Sequence, residues 1–445
     1  MALTTNRRFA TNTPLMQTPE HTTAETANAA AKHLPAGEAR SIVYNDLTLF
    51  SAFQPIFSLS HMRAAGYEAV LRAHDGLDRS VSPLDVCGRA ARLGDLLALD
   101  RLALGLHLEN FSHMHCEREW LFIHIHATAL TDQWQGAALL SEMRRAGLAP
   151  QRVVLQVLEP READLKKMAE GIGFFRRSGF LVALDDFGAG HSNIDRVWQL
   201  DPDIVKLDRN MVFQASQRRS IARILPGLVS LLHEAGKLVL VKGIESEQEA
   251  LIAMECNADF VQGSYFSRPV SSQVDAREAR ATMHDLLAIY RERTETREHA
   301  DAARLAPYIR AFQRVGERVC AGEPLDDVCW NFLSLDDAAR CFLLDEDGQQ
   351  IGRNVVSLAV DASPRHSRFL PMADAEGANW LRRPYFRNAI NAPDQVQVTL
   401  PYLSINEAND CVTLSISIGV DGRRCVLCGD IDWIRRPDGR TKSEI

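Results

Sequence analysis

Asp185-Asp186-Phe187-Gly188-Ala189-Gly190 follows directly on the apolar run 180–184. Adjacent carboxylates at the end of a buried strand repel each other and lose hydration, so the pair calls for a bound cation. The glycines beyond it let backbone approach a ligand closely. Paired carboxylates at the mouth of an α/β fold suit metal-assisted phosphoryl chemistry. The alternative is an acidic strand-to-helix turn in which an aspartate caps the helix. His124 and His126, two residues apart, share one face of a strand as in some zinc sites. No further His or Cys completes that set, so two hydrogen-bonded histidines are expected instead.

These residues sit at the ends of apolar runs. The runs are 53–57, 67–71, 121–125, 152–158, 180–184, 204–207, 238–241 and 260–261. Several are solidly apolar rather than alternating, which predicts strands covered on both faces. Helical stretches, such as 84–108 and 220–235, separate them. The alternation predicts an α/β fold, a TIM-like β/α barrel, with an open doubly wound sheet as the other arrangement. Gln156, Asp185, Lys206, Lys242 and Gln262 each end a run. Barrel sites gather at the carboxyl ends of strands, so this placement favours a common site.

Composition narrows the function. Among 445 residues, 50 basic against 58 acidic side chains give a net charge of −8, and no long basic stripe exists to coat nucleic acid. No apolar run approaches the roughly 20 residues that a membrane-spanning helix requires, so no membrane insertion is expected. Arg7-Arg8 is followed by polar residues rather than an apolar segment, which argues against export and for a cytoplasmic protein. The nine cysteines lack framework spacing, consistent with a reducing compartment. Cys425 and Cys428 stand three apart in a strand-like run, which places their sulfurs on opposite faces as small buried groups.

Residues 1–40 are rich in Thr, Ala, Asn and Pro and are expected to form a disordered tail. The barrel is expected over 41–271 and a charged linker helix over 272–319. Leu305, Tyr308, Phe312, Val315 and Val319 recur there at three-four spacing, which suits either a short coiled coil or packing on its own domain. A second globular unit over 320–437 contains strand, turn and strand around 341–352 and a closing hairpin around Asp421-Gly422.

Five motifs in order carry a resemblance. Phe53-Gln54-Pro55-Ile56, Tyr67-Glu68-Ala69-Val70-Leu71-Arg72, the DDFGAG hexamer, Lys206-Leu207-Asp208-Arg209 and Gln262-Gly263-Ser264-Tyr265-Phe266-Ser267-Arg268-Pro269 resemble the EAL domain over about 47–270. The resemblance implies a barrel that hydrolyses one phosphodiester of cyclic di-GMP with two Mg²⁺ or Mn²⁺ ions. It implies metal ligands at Glu68, Asp185 and Asp186, a catalytic lysine at Lys206, and nucleotide contacts at Gln54, Arg72, Asp208, Gln262, Arg268 and Pro269. Three positions depart from the family. Its asparagine is His124, one glutamate is Gln156, and another is Lys242. Magnesium suits imidazole poorly, and the carboxamide keeps an oxygen but loses a charge. Lysine for glutamate changes the local charge by two units. An ammonium at about 4 Å repels a dication by several kcal/mol. Lys242 would instead pair with Asp185, Asp186 or Glu68 and stand in for a metal.

The region 325–435 resembles PAS/Cache-like sensor modules through Trp380-Leu381-Arg382-Arg383-Pro384-Tyr385-Phe386, Pro401-Tyr402-Leu403-Ser404 and Gly429-Asp430-Ile431-Asp432-Trp433. That implies an α+β domain with a cavity for a polar or zwitterionic ligand; a β-rich dimerisation domain is the alternative. Together the expectation is an inactive EAL domain, with no cofactor, acting in cyclic di-GMP signalling as a nucleotide receptor or through a protein partner, and able to form a homodimer. A phosphodiesterase with residual activity on Mg or Mn, and a scaffold that binds no nucleotide, stay open beside it.

Overall fold

The computed structural model describes residues 40–114, 116–125, 130, 133–158, 165–189, 194–271, 276–358, 375–404 and 410–433. The tail expected over 1–40 lies almost wholly outside them, as do His126 and the 190–193 segment. Two compact units, 1–290 and 291–445, each have their own core.

The first unit is built on ten strands: β1 (Ser41–Tyr44), β2 (Leu47–Ser58), β3 (Arg63–Asp75), β4 (Ser80–Val81), β5 (Trp120–Ile125), β6 (Val153–Leu158), β7 (Leu181–Phe187), β8 (Ile204–Leu207), β9 (Leu238–Val241) and β10 (Phe260–Val261). Their order, β1-β2-β10-β9-β8-β7-β6-β5-β3-β4 with β2 also pairing β3, closes eight of them into a barrel. Seven run parallel, while β2 is antiparallel to both β3 and β10. The reversal follows from local sequence: β2 and β3 form a hairpin whose short turn includes Met62 at φ 55°, too short for the helical crossover a parallel neighbour needs. The segment 84–108, read as one helical stretch, is two helices, Pro83–Leu93 and Leu96–Ser112. Gly94 at φ 74° ends the first in the left-handed conformation that glycine adopts without a Cβ clash.

Side-chain alternation explains the barrel interior. Ile56, Phe122, Val154, Ala183, Ile204, Leu240 and Phe260 form one buried cluster, one residue from each of seven strands. Their strand neighbours Ile123, Leu155, Val182, Val205, Val239 and Val261 belong to the larger core. Burial on both faces is why these runs are continuously apolar.

The second unit is an antiparallel α+β sheet. Its strands are β11 (Ala338–Leu344), β12 (Gln350–Val356), β13 (Gln397–Val398), β14 (Tyr402–Leu403), β15 (Asp410–Val420) and β16 (Arg423–Asp432), in the order β12-β11-β16-β15-β13, with β14 also on β15. Asp421 (φ 48°) and Gly422 (φ 75°) turn the closing hairpin with the positive dihedrals its two-residue loop demands. One sheet face carries Cys425 and Leu427, the other Val426 and Cys428, so both cysteines are buried on opposite sides as their spacing predicts. A continuous helix spans Ala276–Cys320. Met283 and Leu286 belong to the first unit's core; Tyr308, Phe312, Val315 and Val319 belong to the second's. The three-four repeat therefore serves packing within its own unit. No helix among the described residues is long and apolar enough to cross a membrane.

Candidate functional site

Two residues beyond the apolar layer inside the barrel, each strand points its next inward side chain to the same end. From Phe122, Val154, Ala183, Ile204, Leu240 and Phe260 this step gives His124, Gln156, Asp185, Lys206, Lys242 and Gln262. Gln54 on the reversed strand pairs in register with Glu68 and joins the same level. One periodicity thus builds both the dry plug and the polar floor above it.

Two lysines organise the floor. Lys206 is fully buried on β8. Its ammonium lies 2.9 Å from Glu68 Oε2 and 3.6 Å from Asp185 Oδ2, and donates to Gln156 Oε1. Lys242, just past β9, places its ammonium 2.6 Å from Asp185 Oδ1 and donates to Asp186. His124 Nε2 pairs with Glu68 Oε1 at 2.8 Å, and Gln262 Nε2 donates to Glu68 Oε2 at 2.6 Å. Burial alone would raise the carboxyls of Glu68 and Asp185. Lys206 and His124 outweigh it and hold Glu68 well below the usual range, and Lys206 with Lys242 holds Asp185 down. Burial would lower the Lys242 ammonium, but Asp185 and Asp186 raise it above the ordinary lysine value. Asp186 adopts φ 57° at a ladder irregularity between Leu184 and Phe187. Such a conformation in a non-glycine residue costs roughly 1–3 kcal/mol, and here it turns successive carboxylates toward one ammonium.

The donor set does not suit a pair of dications. Glu68, Asp185 and Asp186 supply the negative charge, while Lys206 and Lys242 are bound to those same oxygens. Two ammonium groups cancel most of three carboxylates, and hard divalent ions prefer anionic oxygens over imidazole or carboxamide. Ligand atoms of Glu68, His124 and Asp185 nevertheless lie within 4.8 Å of one another, a spacing compatible with a single ion.

The remaining expected residues lie around this floor. Gln54 Nε2 donates to Ser267 O at 3.4 Å, and Gln262 Nε2 to Gln54 Oε1 at 3.4 Å. Arg72 lies four residues beyond Glu68 on β3, on the same face. Arg268 is exposed, and Pro269 follows it in the segment after β10. Asp208 is engaged locally, its carboxylate accepting from Asn210 N at 3.0 Å to cap the helix Arg209–Gln217. Sequence reasoning left one ion pair at this end without a role: Arg209 Nη1 meets Glu245 Oε1 at 2.7 Å. Arg209 ends a quoted motif and Glu245 stands three residues past Lys242, but only folding shows that they face each other.

A family model for the EAL domain matches residues 40–269. The chain is 24% identical over 257 residues to an uncharacterized EAL-domain containing protein, YkuI, of Bacillus subtilis, a match covering 56% of this chain and 60% of that protein. It is 25% identical over 225 residues to the biofilm architecture maintenance protein MbaA of Vibrio cholerae, covering 49% and 28%. Against the cyclic di-GMP phosphodiesterase RocR of Pseudomonas aeruginosa it is 29% identical over 138 residues, covering 31% and 34%. The matches thus span less than two thirds of these relatives' lengths. Among solved structures, the Bacillus subtilis YkuI protein, with an EAL domain, in complex with substrate c-di-GMP and calcium, superposes with a TM-score of 0.70 at 20% identity. That match covers 87% of this chain and 97% of the other, so the likeness in fold extends beyond the barrel.

Proposed function

The chain belongs to the EAL domain family, and on that premise we propose that its barrel mouth binds cyclic di-GMP without hydrolysing it. The observation that carries this reading is the Lys242 ammonium, 2.6 Å from Asp185 and bonded to Asp186, at a position where the family resemblance implies an acidic metal ligand. A fixed cation there balances the carboxylates and offers a phosphate positive charge, but cannot generate a metal-bound nucleophile. Arg72 supplies a fork suited to phosphate or a guanine edge, with Gln54, Gln262 and Arg268 as further contacts. Lys206 serves as a structural counter-ion to Glu68 and Asp185 rather than as a catalytic lysine.

Calorimetry with cyclic di-GMP in chelator should give saturable binding that Mn²⁺ does not strengthen. Arg72→Ala should weaken it roughly tenfold or more, the scale of a lost charge-assisted fork. Chromatography after incubation with Mn²⁺ should show no linear dinucleotide. Turnover abolished by Asp185→Asn would overturn the reading in favour of an enzyme. The Glu68–His124–Asp185 cluster supports that second reading, with one ion admitted if Lys242 withdraws. No heat under either condition would leave a scaffold acting through a protein partner. The signalling output is then carried by protein contact, with the second unit as a sensor or dimerisation module. All nine cysteines are free thiols, which supports a cytoplasmic setting.

A further inference from the structure

Lys242-Gly243-Ile244-Glu245 joins β9 to the helix Glu247–Glu255 without strand or helix of its own. Lys242 N donates to Leu207 O at 3.3 Å, and Ile244 N to Gln262 O at 3.0 Å. Gly243 between them has φ 73°. A glycine joint holds no fixed direction by itself. The Lys242 ammonium nevertheless meets two carboxylates at once, those of Asp185 and Asp186.

Arg209 spans that joint. It opens the helix Arg209–Gln217, whose cap residue Asp208 donates its N–H to Phe187 O at 2.9 Å. The aliphatic stem of Arg209 lies across Gly243: a Cβ on that glycine would stand 2.6, 2.8 and 3.1 Å from Arg209 Cβ, Cγ and Cδ. The guanidinium reaches on to Glu245, Nη1 to Oε1 at 2.7 Å and Nη2 to Oε2 at 2.9 Å. Glu245 is itself anchored, its N–H donating to Glu249 Oε2 at 2.7 Å beside the cap of the next helix. One side chain thus presses on the residue after Lys242 and grips the residue three beyond it. Both members of the pair are half-exposed, and such a pair adds little to stability. Two parallel hydrogen bonds from a planar fork do fix direction, which the glycine joint lacks.

We propose that Arg209 is a positioning residue. With Glu245 it clamps the 242–245 segment and keeps the Lys242 ammonium on Asp185 and Asp186, closing the floor to divalent ions. The inference rests on the reading that Lys242 stands where a metal ligand would, and adds what holds it there. The clamp acts on the backbone and is indifferent to the charge at position 242. It therefore excludes a cation in the unaltered chain and favours one in Lys242→Glu.

The test is Mn²⁺ uptake by the full chain, read by electron paramagnetic resonance in two backgrounds. With Lys242 present, Arg209→Ala and Glu245→Gln should each raise Mn²⁺ affinity roughly two- to fivefold, the scale of an exposed bidentate pair. Arg209→Lys, which keeps the charge but not the fork, should give a smaller rise. In the Lys242→Glu chain the same two changes should lower Mn²⁺ affinity by a similar factor. A field effect alone gives another pattern. Loss of the arginine's charge then raises cation affinity in both backgrounds, and loss of the glutamate's charge lowers it in both. Thermal unfolding of each variant shows that the first unit still folds. Unchanged uptake in folded Arg209→Ala and Glu245→Gln chains, or changes of the same sign in both backgrounds, would overturn the proposal and leave the reading of Lys242 standing. If Lys242→Glu takes up no more Mn²⁺ than the unaltered chain, that reading falls and the clamp falls with it.

Discussion

Lys242 and Asp185 face each other across 2.6 Å in a largely buried setting, so removing one strands the other. Lys242→Ala should destabilise the first unit by roughly 3 kcal/mol, the cost of leaving a buried partner uncompensated, and Mn²⁺ should restore part of the loss in a denaturant titration. Lys242→Glu should take up more Mn²⁺ than the unaltered chain, read by electron paramagnetic resonance. If both chains take up Mn²⁺ equally, Lys242 is not what excludes it. His107 gives a separate acid sensitivity. Burial, with a smaller contribution from His124, lowers its imidazole to about 4, while the unfolded value is 6.5. Between those values the unfolded chain binds the extra proton, so stability falls as pH falls, by about 3 kcal/mol over the window. Urea midpoints between pH 7 and 4 should drop less for His107→Asn than for the unaltered chain. The Lys242 substitution is readable in sequence because a well-defined motif surrounds it. The choice of Asp185 and Asp186 as its partners is not, because it depends on the left-handed Asp186 backbone.

The strands of the barrel are legible for a physical reason. Burial on both faces leaves solid apolar runs such as 121–123 and 238–241, and a polar residue marks where each run reaches the barrel mouth. The direction of β2 is hidden, since an antiparallel strand and a parallel one can share composition. The helix break at Gly94 is also hidden, because apolar residues continue across it. At this scale Gly263 is decisive: a Cβ there would stand 1.9 Å from Ile244 O. Gly263→Ala should cost roughly 2–4 kcal/mol and displace Gln262 from Glu68, measurable as a lowered melting temperature with weaker nucleotide binding. Asp208→Ala should cost roughly 1 kcal/mol through loss of the helix cap. A larger loss of nucleotide affinity than of stability in that variant would show that Asp208 also meets the ligand.

Two separate cores predict two unfolding steps. Calorimetric scans should resolve two transitions, with cyclic di-GMP raising that of the first unit alone. A single transition displaced as a whole by the nucleotide would show that the units unfold as one. The two-unit organisation is legible in the change of composition near Pro269. The cluster of Phe342, Tyr385 and Tyr402 is legible only as scattered aromatic residues until the second unit's sheet gathers them. One further feature bears on how the barrel responds to load. Phe53 and Val270 are bonded in both directions, at 2.7 and 2.9 Å, so the chain's exit is stitched to its entry strand one residue from Gln54. Tension reaching Val270 falls on those two bonds. Through Gln54 and Gln262 the same strain reaches the oxygens of Glu68, so the barrel mouth should stiffen or slacken with whatever pulls on its own exit.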